Sequence, residues 1–378
     1  MIDAPILEVE IIMSDLDRIT AIVPRLPPAV DGVGDYALNL AVQLRQDFGL
    51  VNDFVIGDPN WSGDPFIRGF TVNQVAEQSS AALLELLPNE QHSRTTVLLH
   101  YVGYGYAKRG CPLWLIEGLE HWRKAGTSRH LVTMFHEIYA FGSIWTSQFW
   151  TSPLQRNLAA RLVCLSDRCL TSKQEYAEII TKLGQGKHPK VATLPVFSNV
   201  GEPENLTSLS ERPRRLVIFG GRGPRSRVYQ DSQLALQRTC VDLEIEEILD
   251  IGTPLNFEIK PVNNIPVVCL GVKSAEEISN LFSNSVAGFF NYPTEFLAKS
   301  TIFAAYSAHR LLPIGTWYKG QDLDGLEAGK HYWLGDKYQY RMNLSIGQTV
   351  ADNAYAWYQK HKLSVQADAF VTYLTTGT

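Results

Sequence analysis

Apolar positions along the chain form short runs separated by stretches of helical spacing, and the two kinds alternate. Residues 19–23 read as a strand and lead into the loop PRLPPAVDGVG. After that loop Ala37, Leu40, Ala41, Leu44 and Phe48 share one face of a helix, with Gly49 placed for a left-handed C-terminal cap. Further strands are predicted at 53–56, 95–99, 130–135, 162–165 and 191–196, with helices such as 112–124 between them. A capping box of Ser172 and Glu175 opens another helix, which stops at Gly184. Residues 197–213 are polar, rich in Ser, Pro, Glu and Asn, and aperiodic, which suits a connection between domains. The alternation then restarts with strands at 216–219, 266–270, 286–292 and 311–314, a capping box of Ser274 and Glu277, and a closing helical stretch over 345–375.

Strand and helix in alternation imply βαβ crossovers and parallel sheets covered on both faces. The fold class is therefore α/β, with two Rossmann-like α/β/α domains. A chain of 378 residues also exceeds the roughly 250 to 300 at which one core stops growing. The boundaries fall at 1–200 for the first domain, 201–345 for the second, and 346–378 for a C-terminal helical segment. In open parallel sheets ligands bind beyond the C-terminal strand ends, so two such edges facing across a cleft make an inter-domain site.

Composition narrows the function. Lys and Arg number 34 against 39 Asp and Glu, a formal charge of -5, with no basic run. That balance lacks the footprint needed to bind phosphate backbones, so nucleic acid is not an expected partner. Five cysteines without a C-x-x-C pair argue against a disulfide framework and a structural zinc site. The N-terminus carries Asp3, Glu8 and Glu10 where an export signal would be basic, and no run of 18 apolar residues occurs. A cytoplasmic location follows as the expectation.

Four segments could carry chemistry. Gly32, Val33 and Gly34, with Asp35, Tyr36 and Ala37, match the spacing G-x-G-x-x-A between a strand and a helix. The intervening PRLPPAVD separates this loop from the dinucleotide fingerprint, although amides at a helix N-terminus can approach an anionic or polyhydroxyl ligand. His136 and Glu137 end an apolar strand, and His100 ends the preceding one. Such strand ends are where parallel sheets keep working residues, and the plain alternative is a histidine satisfied by nearby backbone. The third segment, Gly220-Gly221-Arg222-Gly223-Pro224-Arg225-Ser226-Arg227, places three arginines in six positions in a Gly-rich turn before a helix. This suits a clamp for phosphate oxygens, against a solvated basic turn. In the fourth, Glu295, Lys299 and Ser300 bracket a turn between a strand and a helix, where a carboxylate can accept from sugar hydroxyls and an ammonium can meet a phosphate.

Together these segments resemble the family 4 type of glycosyltransferase with the GT-B fold, over nearly the whole chain. The resemblance runs through RLPPAVDGVGDYALNLA, FHE at 135–137, LPVFSNVGEP at 194–203, VIFGGRGPRSRVY and EFLAKSTIFAAYSAH. It implies transfer of a sugar from a nucleotide-diphosphate donor, bound mainly by the C-terminal domain, to an acceptor held mainly by the N-terminal one. The donor is a co-substrate and no other cofactor is implied. The acceptor class stays open among a sugar, a polysaccharide, a lipid and a small molecule. By the same resemblance Gly32, Val33 and Gly34 lie against the donor, and His136 contacts the transferred sugar. Arg222, Arg225 or Arg227 with Lys299 hold the diphosphate, beside Gly221 and Ser300. Glu295 stands for the first Glu of an E-x7-E element. The chain departs from the pattern at Phe303, where the second Glu is expected as a ribose ligand, and over 304–310, where a small Gly-containing segment is expected.

The resemblance further implies retention of anomeric configuration, no metal, and a C-terminal helix packing back toward the N-terminal domain. Asp15-Leu16-Asp17 and Asp322-Leu323-Asp324 spell D-x-D but read as polar turns. Trp145, Phe149 and Trp150 read as a core cluster, an acceptor platform, or an apolar surface for peripheral membrane association. Two other functions compete: a non-catalytic sugar-nucleotide or glycan-binding protein of the same fold, and a dehydrogenase using Gly32 and Gly34.

Overall fold

The computed structural model describes residues 18–89, 94–139, 147–317, 323–337 and 341–375, and of 147–150 the backbone only. Asp15, Asp17, Asp322 and Trp145, and the side chains of Phe149 and Trp150, lie outside the described residues. The chain divides into two compact units, one of 1–194 with 363–378 and the other of 195–362.

The first unit begins with β1 (Arg18–Val23), α1 (Gly32–Phe48), β2 (Val51–Ile56), β3 (Phe66–Ile67) and β4 (Phe70–Gln74). It continues through α2 (Ser80–Leu86), β5 (Thr95–Tyr101), α3 (Gly103–Tyr106), α4 (Leu113–Lys124) and β6 (Arg129–Phe135). Then come α5 (Ser147–Leu165), β7 (Arg168–Thr171), α6 (Gln174–Leu183) and β8 (Ala192–Thr193). The sheet order is β3-β4-β2-β1-β5-β6-β7-β8, parallel except for the β3–β4 pair. Strands β5 and β6 are buried along their whole length, which is why they read as continuous apolar runs rather than alternating ones. Gly49 closes α1 in the left-handed region at φ 70°, as its position predicts.

The second unit carries β9 (Arg215–Phe219), α7 (Arg222–Asp231), α8 (Gln233–Asp242), β10 (Glu247–Ile251), β11 (Val267–Gly271) and α9 (Ala275–Ser283). It ends with β12 (Ala287–Phe290), α10 (Thr301–Ala308), β13 (Leu312–Gly315), β14 (Trp333–Leu334) and α11 (Leu344–Gln359). Its sheet is wholly parallel in the order β11-β10-β9-β12-β13-β14. The Ser274–Glu277 capping box forms in both directions at the head of α9. The last helix, α12 (Leu363–Thr375), belongs to the first unit, where it packs on α1. Arg94 donates to the backbone oxygens of Leu374 and Thr375 at its end, a favourable place for a cation.

Several local expectations differ from the structure. Residues 162–165 are the last turn of α5, and the strand is Arg168–Thr171. Leu158, Ala159, Leu162 and Val163 are buried at helical spacing, a period that a four-residue apolar run cannot display. The helix expected from Ser172 starts at Gln174 with Lys173 as its cap, and the Ser172 hydroxyl is buried without a hydrogen-bond partner among the described residues. The stretch 345–375 breaks at residues 360–362 into two helices that belong to different units. The units divide at 194/195 and 362/363, whereas the sequence reading divides the chain at 200 and 345. The polar connection is drawn into the second unit by Val196, whose amide donates to Ala298 O at 2.8 Å, and by Ser198, whose amide donates to the Tyr358 hydroxyl at 2.9 Å. Among the described residues no helix is long and apolar enough to cross a membrane.

Candidate active site

With the antiparallel edge strand β3 set aside, each sheet has one place where strand order reverses, between β1 and β5 in the first unit and between β9 and β12 in the second. Loops leaving such neighbours depart to opposite faces of the sheet and open a crevice at the C-terminal edge. All four sequence segments fall at or beside these two places.

In the first unit the loop after β1 leads to α1, whose N-cap is Asp31. Its Oδ1 accepts from the amides of Val33 at 2.9 Å and Gly34 at 3.2 Å. Two amides of the turn that the resemblance lays against the donor are therefore already bonded to a carboxylate, and Arg25 holds that carboxylate at 3.3 Å. Gly34 is required for space, because a Cβ there would lie 2.1 Å from Arg25 O. A Cβ at Gly32 would meet nothing within 4 Å. Burial, with the Asp31 charge second, pushes the Asp35 carboxyl up to about 6, against the lowering pull of Arg68.

The histidines come together through strand register. His100 is opposite Met134 in the β5–β6 ladder, and His136 lies two residues beyond Met134, on the same face. Their rings accordingly meet, with His100 Nδ1 3.1 Å from His136 Nε2. Burial pushes His100 down to about 3, so it is neutral at physiological pH, and one of the two facing ring nitrogens donates to the other. Tyr36 of α1 packs edge-on against both rings, at 5.8 Å from His100 and 5.0 Å from His136 between centroids, and its hydroxyl donates to Gln366 of α12. The Gly32–Gly34 turn and His136 thus share one edge of the unit, bridged by Tyr36. Sequence reasoning named Tyr36 only as part of the G-x-G-x-x-A spacing and did not mark Gln366, since their approach spans 330 positions.

In the second unit the turn after β9 and the loop after β12 adjoin. Arg227 Nη2 donates to Asn291 O at 3.4 Å. A Cβ at Gly220 would meet Ile302 at 2.5 Å. The three arginines of the turn have different fates. Arg225 is 1% exposed and forms a two-pronged pair with Asp250 of β10, Nη2 to Oδ1 at 2.6 Å and Nε to Oδ2 at 3.2 Å. Its Nη1 donates to Gly220 O and Thr253 O. Gly252 makes room for it, since a Cβ there would lie 2.3 Å from Arg225 Nη1. Arg225 therefore closes the turn from inside, with its Nε, Nη1 and Nη2 all bonded to protein oxygens, where the sequence reading sets it on a donor phosphate. Arg222 is exposed and donates to Pro254 O at 2.9 Å. Arg227 is half-buried.

Gly221 is the exposed N-cap of α7. Glu295 and Lys299 stand on the 3-10 turn Thr294–Lys299, with the Glu295 carboxylate oxygens shielded from solvent and the Lys299 ammonium 5.8 Å from the Phe296 ring centre. Ser300 caps α10 by accepting from Phe303 N at 3.2 Å, so its oxygen has a structural task. Phe303, where sequence reasoning looks for a second glutamate, is fully buried against Phe290, Tyr332 and Trp357. Among the described residues no group of three His, Cys, Asp or Glu side chains could hold a metal ion. Sequence reasoning missed Asp250, a buried carboxylate in the strand EILDI whose partner lies 25 positions away.

No protein-family model matches the chain, and no curated protein matches it in sequence. Solved structures do match its fold. TarM superposes with a TM-score of 0.63 at 8% identity, over 96% of this chain and 99% of that one. An E. coli structure described as trehalose-6-phosphate bound with UDP-2-fluoro glucose gives 0.60 at 9%, over 96% and 99%. The apo form of the lipopolysaccharide outer core galactosyltransferase WaaB gives 0.52 at 11%, over 94% and 99%. The fold is that of the GT-B glycosyltransferases. At these identities the likeness establishes the fold, and the chemistry rests on the residues just described.

Proposed function

We propose that the protein transfers a sugar from a nucleotide-diphosphate donor, bound through the second unit, to an acceptor bound through the first, with retention of configuration and without a metal. The observation that carries the reading is that, within a GT-B fold, the polar segments of both units collect at the strand-order reversals. Two of the matched structures point the same way, one being a galactosyltransferase and the other containing a UDP-sugar analogue. In the reaction the bond from the anomeric carbon to the diphosphate oxygen breaks and its electrons pass to that oxygen. The acceptor oxygen forms the new bond, and its proton goes to the departing phosphate. Lys299 and Arg227, with Arg222 at the rim, offset the charge that grows on the leaving group, stabilising the transition state above the ground state. His136 and Glu295 contact the transferred sugar, and Gly221 and Ser300 shape the turns around the donor. The acceptor remains one of the four classes named above.

The test is a thermal-shift panel of UDP, GDP, ADP and dTDP with their sugar conjugates, followed by transfer and donor-hydrolysis assays with the responder. Lys299→Ala and Arg227→Ala should each reduce turnover by about 100-fold. Near-unchanged turnover in both variants would overturn the reading. A donor that binds but is neither transferred nor hydrolysed would make the protein a sugar-nucleotide binder instead.

A further inference from the structure

Among the described residues the two sheets end in four edge strands, and three of them are blunt. Strands β3, β8 and β14 are two residues long each, which leaves little open backbone for another strand to pair with. The fourth edge is β11, which is five residues long and has no buried residue. It reads VVCLG, and no charged residue stands between positions 261 and 272. The next charge, Lys273, is engaged with Glu277 at 2.9 Å. This edge therefore lacks both the brevity and the charge that keep a sheet edge solitary.

Strand register fixes which of its groups are open. Val267 to Cys269 pair with Ile248 to Asp250 of β10 without a break, and Pro266 O accepts from Ile248 N at 3.0 Å. Backbone groups of successive residues alternate sides along a parallel ladder, so the N–H and C=O of Val267 and Cys269 point away from β10. A strand that satisfies them must match them in length and bring no charge that would lose its water. The other edges are too short, and among the described elements the strand that fits is β11 of a second copy.

A two-fold axis makes that pairing antiparallel and self-complementary. Val267 of one copy exchanges both of its backbone bonds with Cys269 of the other, and the reverse holds across the axis. Antiparallel pairing also sets the start of one strand beside the end of its mate. An exposed valine stands at each of these places. Val241, 55% exposed, shares a pocket wall with Asn263 ahead of the strand, and Val272, 73% exposed, follows its last residue. Pairing brings the two together and removes both from water, a gain that parallel pairing would not give.

We propose that the protein forms a two-fold dimer through β11, the six-stranded sheets of two copies continuing as one across the axis. The inference concerns assembly and does not rest on sugar transfer.

Sedimentation velocity of the full-length protein over a concentration series tests it. Assembly should stop at two copies, because the axis uses up the open edge of both. In the paired strands each Cys269 lies diagonal to the other on one face, with Cβ atoms ~7 to 8 Å apart. A short bis-maleimide should therefore yield a cross-linked dimer that Cys269→Ser abolishes and Cys164→Ser, at the other exposed cysteine, retains. Cys269→Glu and Cys269→Lys should each raise the dimer dissociation constant about ten-fold or more, since like charges then meet across the axis. Mixed in equal amounts the two variants should dimerise again, which also shows that each is folded. A protein that stays monomeric up to the millimolar range overturns the proposal. So does a dimer that neither charged variant weakens, a mixture that remains monomeric, or an assembly larger than two copies.

Discussion

Arg225→Ala is the substitution that separates two accounts of the arginine turn. If Arg225 held a donor phosphate, its loss would lower ligand binding and leave the fold alone. The structure says otherwise. Its side chain and that of Asp250 are 1% and 3% exposed, and two N–H···O contacts of 2.6 and 3.2 Å join them. Truncation would strand the Asp250 carboxylate with the Tyr229 hydroxyl, 2.8 Å away, as its remaining side-chain donor. It would also leave Gly220 O and Thr253 O without their donor.

Removing one member of a buried pair costs about 3 to 5 kcal/mol, which at 1.4 kcal/mol per decade is roughly two to three and a half decades in a local opening constant. Because two units make a single unfolding free energy ill-defined, the readout should be local. Hydrogen exchange of peptides covering β9 and β10 should accelerate by about 100-fold or more, with β1 and β5 unchanged. The double variant Arg225→Met/Asp250→Asn, which leaves no unpaired charge, should recover most of the protection. Exchange in β9 and β10 within about three-fold of the parent, together with lost nucleoside-diphosphate binding, would refute this account.

Three further outcomes follow from the geometry. The folded protein holds the Asp35 proton more tightly, at about 6, than the unfolded chain does at 3.8, so this carboxyl's contribution is fully present below pH 3.8 and is lost as pH rises through 6. Asp35→Asn should therefore stabilise the first unit at pH 8 by about 1 to 2 kcal/mol after solvent screening and change little at pH 3.5, read by denaturant titration at the two pH values. Gly34→Ala should destabilise the first unit by about 1 to 3 kcal/mol, because the added carbon meets backbone rather than a side chain that can turn away; an unchanged melting midpoint would contradict the tight α1 approach. Phe303→Glu, which restores the residue expected from the family pattern, should unfold the second unit rather than improve nucleotide binding. It would place a carboxylate among Phe290, Tyr332 and Trp357 with no cation at hand among these aromatics, and circular dichroism with UDP titration checks both halves of that expectation.

The alternation of apolar runs and helical stretches was enough to place most strands, the Gly49 cap, the Ser274–Glu277 box and the strand–loop–helix position of every candidate segment. These features are local, since a period of two or 3.6 and a cap depend on neighbours within a few residues. The two α/β halves were legible because nearly the whole chain repeats that local pattern, and the GT-B expectation came from the resemblance of the named segments to a family. Long-range pairing decided the rest. Sheet order, which no single run encodes, puts β1 beside β5 and β9 beside β12 and so draws the segments to one edge in each unit.

Register alone brings His100 to His136, and packing of a helix 330 positions away brings Gln366 to Tyr36. Sequence shows three equivalent arginines after β9. Only tertiary structure distinguishes them, because a guanidinium buried against Asp250 is spent on holding the turn and one at the rim of a cavity is not. Charge and hydrogen-bonding capacity belong to the residue, but whether they are available depends on which partner the fold places within 3 Å.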